Sequence, residues 1–200
     1  MVRYWLDDVY CCSGSHQGMA DMKILYAYSD SRQEDQQETK QTLFNIKNHE
    51  IIYTKVGTGT EYEDQIEYLW NQGDPYIICE QDIVPRQKDI DDLANCKEHF
   101  CAAKYRLYPV STALPVPVLA HRMIVEGTNR RNWKTRWIND DDIYADLWGF
   151  GLTKLTPFGK YPLVKGKWKD IDTRLSMTLW EQGILAHLHP EVKHNHQIKR

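Results

Sequence analysis

The stretch "PYIICEQDIVP", residues 75–85, joins a short apolar run to two carboxylates. The run from Tyr76 to Cys79 is bounded by "GDP" before it and by Pro85 after it, and such a run is typical of an interior β-strand. It leads directly into Glu80 and Asp82. The sequence therefore predicts a core strand that ends in two acidic side chains.

Strands and helices alternate before this stretch. The apolar segments "MKILYAYSD" and "EIIYTKVG" predict two strands, while "RQEDQQETKQTLFNIKNH" and "EYEDQIEYLWNQG" predict two helices, the second ending at Gly73. Strand, helix, strand, helix, strand is the pattern of a parallel α/β sheet with right-handed crossovers. In such sheets ligands bind at the carboxyl ends of the strands, which is where Glu80 and Asp82 are expected.

The later part of the chain is less regular. Residues 86–96 predict a short helix and residues 100–110 a strand, and residues 119–126 favour a further strand. "LWGFGLTKLTP" (147–157) predicts a strand whose glycines mark a bulge or a close approach to the backbone. "IDTRLSMTLWEQG" (171–183) predicts a helix with Asp172 as its N-cap and Gly183 as its end.

Composition indicates one domain over residues 22–200. The chain has 200 residues, of which 42% are hydrophobic, which suits one core of ordinary size. Residues 1–21 contain "SGSHQGMADM" and are interpreted as an N-terminal extension that is vector-derived or disordered. A formal charge of −3 gives no global attraction for nucleic acid. With five cysteines and no apolar run approaching ~18 residues, we expect a soluble cytoplasmic protein without a membrane span.

Two clusters of side chains suggest metal chemistry. Glu80 and Asp82, at positions i and i+2 of a strand end, point to the same side and can reach one hard cation that holds phosphate oxygens. The alternative is a pair of loop acids that face water. The segment 183–196 supplies a histidine cluster consisting of His187, His189, His194 and His196. One imidazole is a candidate third ligand for a manganese-like ion, and a solvated tail is the alternative.

The order of these motifs resembles the A-fold (GT-A) glycosyltransferases, particularly the family 2-like enzymes. Glu80 and Asp82 occupy the place of the family's D-x-D motif, which holds a divalent metal on the donor diphosphate. The resemblance makes Asp172 the candidate catalytic base, with Asp170 as the alternative. It points to His194 as the metal-binding histidine. His189 is the substitute, since it lies just before Pro190 and strand alternation places it on the other side from Leu188.

The resemblance implies a single-domain GT-A-like fold with a central, mostly parallel sheet flanked by helices. It implies a transferase that moves a sugar from a nucleoside-diphosphate-sugar donor to an acceptor hydroxyl with inversion, aided by Mn²⁺ or Mg²⁺. The acceptor is a glycan, a protein or a small molecule that the sequence does not identify. Candidate donor contacts are Tyr28, Asp30, Arg32, Asp64, Gln65, Trp148, Gly149 and Gly151. Each has an alternative role as a surface or core residue.

Two other function classes remain open. A nucleotidyltransferase or metal-dependent phosphohydrolase would also place acids at a strand end over a phosphate, and would usually have more acids converging on two metals. The seven Trp and twelve Tyr residues also suit a non-catalytic module that binds carbohydrate or protein. Metal-dependent binding of one nucleotide class would favour the transferase.

Overall fold

The computed structural model describes residues 21–30, 33–105, 135–139, 142–145, 150–161 and 171–195. The helices are α1 (Gln33–Phe44), α2 (Gly59–Gln72), α3 (Gln87–Asn95) and α4 (Ile171–Glu181). The strands are β1 (Met22–Tyr28), β2 (His49–Lys55), β3 (Tyr76–Glu80), β4 (Ile83–Val84), β5 (Phe100–Lys104), β6 (Thr135–Asn139), β7 (Asp142–Ala145), β8 (Leu152–Leu155), β9 (Ala186–Glu191) and β10 (Lys193–His194). The predicted strand at residues 119–126 lies outside the described residues.

The protein has an α/β fold built on a mixed sheet with the strand order β2-β1-β3-β8-β5-β9-β7-β6. The pairs β1–β2, β1–β3 and β5–β9 are parallel. Strand β8 lies antiparallel between β3 and β5, and β7 is antiparallel to β9. The expectation of a mostly parallel sheet therefore needs correction, because β8 returns to the middle of the sheet in the opposite direction and satisfies the backbone hydrogen bonds of both its neighbours.

Strands β1 and β3 each carry consecutive apolar residues because the sheet is covered on both faces. Ile24 and Leu25 of β1 and Ile77 and Ile78 of β3 are fully buried, as expected for strands that alternate with crossover helices. Helix α2 packs Ile66, Leu69 and Trp70 into the same core. This arrangement brings the carboxyl ends of β1, β2 and β3 to one edge of the sheet.

The helix ends follow the sequence pattern with one exception. Helix α2 ends at Gly73, whose φ of 83° is the left-handed conformation that glycine adopts without strain. Gly183 has a φ of 80° just after α4. Helix α4 begins at Ile171, so Asp172 lies in its first turn and the prediction that Asp172 is the N-cap is wrong. An acid in the first turn is still stabilised by the positive end of the helix dipole.

The C-terminal segment is held against the turn that follows β3. Strand β10 pairs antiparallel with β4, with His194 opposite Ile83, and the Asn195 N–H donates to the Asp82 carbonyl at 2.8 Å. Lys193 Nζ lies 2.5 and 2.6 Å from the two carboxylate oxygens of Glu38 on α1. The interpretation of this segment as a solvated tail is therefore wrong for residues 186–195. Among the described residues, no helix is long and apolar enough to cross a membrane.

Gly151 occupies a position that a larger residue cannot share. Its φ is 55°, and a Cβ atom built there would lie 2.1 Å from Cε1 of the buried Tyr105 ring. Its carbonyl accepts the N–H of Glu80 at 2.8 Å. The close approach to the backbone that the glycines of residues 147–157 indicate is made here by Tyr105.

We predict that Gly151→Ala lowers the free energy of unfolding by about 2–4 kcal/mol, since it combines overpacking with a strained backbone. Urea denaturation measures the change. Gly159→Ala is the matched control, because Gly159 has a φ of 64° and open space around its Cβ position. The control should lose only about 1–2 kcal/mol, and equal losses in the two variants would contradict the role assigned to Tyr105.

Candidate functional site

A cleft of about 440 Å³ lies at the carboxyl ends of β1, β2 and β3. Its walls come from the ends of these strands, from the turn after β3 and from the start of α2. The lining residues are Ala27, Tyr28, Ser29, Val56, Gly57, Thr58, Gly59, Tyr62, Glu80, Gln81 and Asp82. The predicted acidic pair thus lies in the cleft.

Asp82 and His194 are in contact at the inner side of this cleft. Nε2 of His194 lies 3.3 Å from Oδ2 of Asp82, and the two side chains are only 1% and 6% exposed. The pairing of β10 with β4 brings the imidazole to this place. The structure therefore brings His194 to the acidic pair of Glu80 and Asp82, from which it is separated by more than one hundred residues in the sequence.

Gln81, between the two acids, stabilises the turn after β3 through hydrogen bonds of its side chain. Its Oε1 accepts from the Ser29 N–H at 3.0 Å, from the Ser29 hydroxyl at 3.2 Å and from Nε2 of Gln36 at 3.0 Å. Gln36 is buried and also donates to the Ser29 carbonyl at 2.7 Å. These bonds tie the turn to the loop after β1 and thereby hold the flanking carboxylates in position.

Asp172 reaches the same region from α4. An ion pair between Arg174 of α4 and Glu63 of α2 fastens the beginning of α4 beside the cleft. The negative charge of Asp172 acts on both Glu80 and Tyr62, raising the pKa of each. Three carboxylates from two distant parts of the chain therefore converge here.

The pKa of Glu80 is raised to about 8. Burial is the largest cause, followed by the charges of Asp172 and Asp82, while hydrogen bonds from the backbone of Gly151 and Phe150 act in the opposite direction. Without a cation, Glu80 therefore carries a proton near neutral pH. The charges of Asp172 and Asp82 add to the effect of burial and disfavour a further negative charge on Glu80.

Tyr62 of α2 presents a polar group to the cleft. Its hydroxyl is buried and has no hydrogen-bond partner among the described residues. Burial and the charges of Glu80 and Asp172 raise its pKa well above the usual range, so the hydroxyl stays protonated and can donate. Asp64 and Gln65, the residues of this helix that were predicted to contact the donor, do not line the cleft. Asp64 is exposed. The helical period turns Tyr62 inward instead.

The loop from Val56 to Gly59 was not among the predicted site residues. Thr58 caps α2 by accepting the Glu61 N–H at 3.2 Å, and the Gly57 N–H donates to the Glu61 carboxylate at 2.5 Å. The positive end of the α2 dipole therefore faces the cleft. The sequence signal that could have identified it is "GTG" between a strand and a helix, a pattern that lets backbone approach phosphate closely.

Of the other predicted donor contacts, some lie at the cleft and others do not. Tyr28 lines the cleft, and the ammonium of Lys40 lies 4.0 Å from the centroid of its ring. Asp30 is exposed, forms an ion pair with Lys55 at 2.9 Å and does not line the cleft. Gly151 hydrogen-bonds to Glu80 through its backbone. The candidates that lie outside the described residues are Arg32, Trp148, Gly149, Asp170 and His196.

His189 belongs to a second cluster. Its ligand atom and those of Cys96 and His187 all lie within 4.8 Å of one another. The prediction of His189 as a substitute for His194 at the acidic pair is therefore corrected, because His189 lies on β9 beside α3. The pKa of the Cys96 thiol is lowered, first by a hydrogen bond from Cys101 and then by the imidazoles of His189 and His187.

Comparison with known proteins finds no matching protein-family model and no significant match among curated proteins.

We predict that Glu80→Gln changes how stability depends on pH. Between pH 4.5 and 8 the unfolded chain releases the Glu80 proton while the folded protein keeps it, so the wild type loses stability as pH rises, by at most ~1.4 kcal/mol per pH unit. Glutamine removes this contribution. Urea denaturation in the presence of EDTA should show the variant gaining stability relative to wild type as pH rises from 5 to 8.

The control for this series is Glu50→Gln, on an exposed position of β2. Its stability should run parallel to that of the wild type across the pH range. If Glu80→Gln also runs parallel, the raised pKa of Glu80 is refuted.

Proposed function

We propose that this protein is a metal-dependent glycosyltransferase, similar to the A-fold enzymes, that moves a sugar from a nucleoside-diphosphate-sugar to an acceptor hydroxyl. The observation that carries the proposal is the convergence of Glu80, Asp82, His194 and Asp172 beside one cleft. These residues come from three separate segments and meet at the carboxyl ends of parallel strands, where open α/β sheets bind ligands.

The acidic pair and His194 fit a divalent cation of the manganese or magnesium type. Two carboxylates and one imidazole are suitable ligands for such an ion. Burial and the neighbouring charges of Asp172 and Asp82 raise the pKa of Glu80, and a bound cation would favour its ionised form. When bound, the cation would offset the charge that develops on the donor's β-phosphate as the sugar leaves.

The cleft suits the nucleotide part of the donor. Its volume of about 440 Å³ is in the range of small-molecule sites. The start of α2 offers the positive end of a helix dipole to phosphate. Tyr28 offers an aromatic face to a base or sugar ring, and the buried hydroxyl of Tyr62 offers a hydrogen bond to a polar ligand.

Asp172 is the candidate base. An acceptor hydroxyl is a poor nucleophile near neutral pH and needs a group that takes its proton within hydrogen-bond reach. Asp172 lies close enough to Glu80 for their charges to interact. In the proposed reaction it takes the acceptor's proton on the side of the sugar opposite the leaving diphosphate. Attack from that side inverts the anomeric centre.

A second candidate is a nucleotidyltransferase or phosphohydrolase. The convergence of a third carboxylate, Asp172, on the acidic pair favours it, since enzymes of that class gather several acids around two metals. The products separate the two classes. A transferase releases a nucleoside diphosphate from the donor, whereas cleavage within the diphosphate releases a nucleoside monophosphate.

The proposed setting is the cytoplasm. The described cysteines Cys79, Cys96 and Cys101 are free thiols, which suits a reducing compartment. The proposed partners are the nucleotide-sugar donor and an acceptor that is a glycan, a protein or a small molecule. With a net charge of −3, nucleic acid is not an expected partner.

We predict that one class among UDP-, GDP- and dTDP-sugars raises the melting temperature of the protein in the presence of Mn²⁺ and not in its absence. Asp82→Asn should abolish this shift while the protein stays folded by circular dichroism, because it removes a ligand charge. Asp74→Asn, on an exposed loop, should keep the shift. An undiminished manganese-dependent shift in folded Asp82→Asn would contradict the proposed site.

Two histidine variants serve as further controls for this assay. His194→Ala should weaken the manganese-dependent shift, because His194 contacts Asp82. His187→Ala should leave the shift in place, because His187 belongs to the second cluster. Equal effects of the two variants would exclude His194 as the specific ligand.

We predict that Asp172→Asn lowers the rate of sugar transfer by ~10²–10⁴-fold while donor affinity changes little, because general-base contributions are of that size. Release of nucleoside diphosphate at saturating acceptor measures the rate, and the nucleotide-dependent melting shift measures binding. Asp170→Asn is the control. If Asp170→Asn is the crippled variant and Asp172→Asn turns over normally, the base has been misassigned by two residues.

A further inference from the structure

The second cluster is assembled by two neighbouring elements. Cys96 follows the last residue of α3, and His187 and His189 lie at positions i and i+2 of β9, so both imidazoles point to the same face of the sheet. Strand β9 pairs with β5, and α3 packs against both strands. The thiol of Cys96 therefore lies next to the two imidazoles, on the face of the sheet that α3 covers.

The spacing of the three side chains matches a metal site. Sγ of Cys96 lies 3.3 Å from Nδ1 of His187, and the ligand atoms of all three residues lie within 4.8 Å of one another. In a tetrahedral zinc site, with Zn–S near 2.3 Å and Zn–N near 2.0–2.1 Å, neighbouring ligand atoms are about 3.5 Å apart. The separation of 3.3 Å between Cys96 and His187 already agrees with that value.

The polar atoms of His189 provide an independent observation. Its Nε2 is buried and has no hydrogen-bond partner of normal geometry among the described residues. The rings of His187 and His189 pack edge to face at 4.9 Å between centroids. Burying a ring nitrogen without a partner costs free energy, and coordination of a cation would remove that cost.

We propose that Cys96, His187 and His189 bind a zinc ion through one sulfur and two nitrogens, at a site separate from the acidic cleft. Zinc is the ion that this ligand set favours, since thiolate and imidazole select borderline-soft metals, whereas the carboxylates of Glu80 and Asp82 select harder ones. The proposal is independent of the transferase function, because the two sites share no residue.

The three cluster residues would fill three of the four positions of a tetrahedral zinc ion. The cluster borders a second cleft of about 380 Å³, whose other lining residues are Asp92, Asn95, Lys97 and Glu98. Three protein ligands with an open fourth position are typical of zinc sites that bind water or an exogenous ligand, whereas structural sites close all four positions. Water or a small anion that enters this cleft would complete the coordination.

The test uses the full-length protein, reduced and stripped of metal with EDTA. Titration of Zn²⁺ against a chromophoric chelator should give one tightly bound equivalent. Co²⁺ in its place should give the near-ultraviolet absorption band of thiolate-to-cobalt charge transfer together with the visible bands of a tetrahedral ion. A wild-type protein without the charge-transfer band overturns the proposal, and this result does not depend on the folding of any variant.

Variants assign the ligands. Cys96→Ser should abolish the charge-transfer band, and Cys96→Ser and His189→Gln should each weaken Zn²⁺ binding by more than ~100-fold, since even outer-shell partners of a metal site contribute 10–100-fold. Cys79→Ser and the double variant Cys11→Ser/Cys12→Ser are the thiol controls, and His99→Ala, at an exposed position outside the cluster, is the imidazole control. All three should bind Zn²⁺ like the wild type.

Zinc binding and the manganese-dependent nucleotide shift should respond to different variants. If Cys96→Ser, folded by circular dichroism, keeps wild-type zinc affinity, the proposal is overturned whatever the nucleotide assay gives. Loss of zinc binding in Cys96→Ser with an unchanged manganese-dependent nucleotide shift is the expected pattern.

Discussion

The contact between the buried carboxylate of Asp82 and the imidazole of His194 ties together the parts of the acidic site. A buried carboxylate is costly unless a polar or charged partner compensates for the loss of water. Here the partner is His194. It is held in place by the pairing of β10 with β4, by the hydrogen bond from the Asn195 N–H to the Asp82 carbonyl and by the ion pair of Lys193 with Glu38. The turn after β3, and with it the orientation of Glu80, depends on this docking of the C-terminal segment.

Two ligand environments of different chemistry lie in one sheet. At the carboxyl ends of β1–β3, oxygen donors accumulate beside a cleft and a helix N-terminus. At the end of α3, the sulfur of Cys96 meets two imidazoles from β9. Because hard and borderline-soft cations prefer different ligands, the two proposed sites would select different metals. This division gives the functional proposal and the zinc proposal separate experimental consequences.

Local sequence patterns predicted the elements of the first half and the position of the acidic pair. Apolar runs mark β1 and β3, while Gly73 marks the end of α2, and these depend on interactions within a few residues. The same patterns did not identify Tyr62 or the loop that caps α2, and they named Asp64 and Gln65 instead. Which side of a helix faces a cleft depends on how the helix packs on the sheet. Successive residues are rotated by about 100°, so an error of two or three positions selects a residue on another side of the helix.

Sequence alone determined that a buried strand ends in Glu80 and Asp82 and that four histidines follow within ten residues near the C-terminus. Only the tertiary structure decided which histidine joins which cluster. The register of β9 against β5 shifts next to Pro190, which has no N–H for the ladder. His187 and His189, before the shift, lie beside Cys96, whereas His194, after it, lies on β10 beside Asp82. Strand register is set by pairing between segments that lie far apart in the chain, and that pairing has no local signature in the residues themselves.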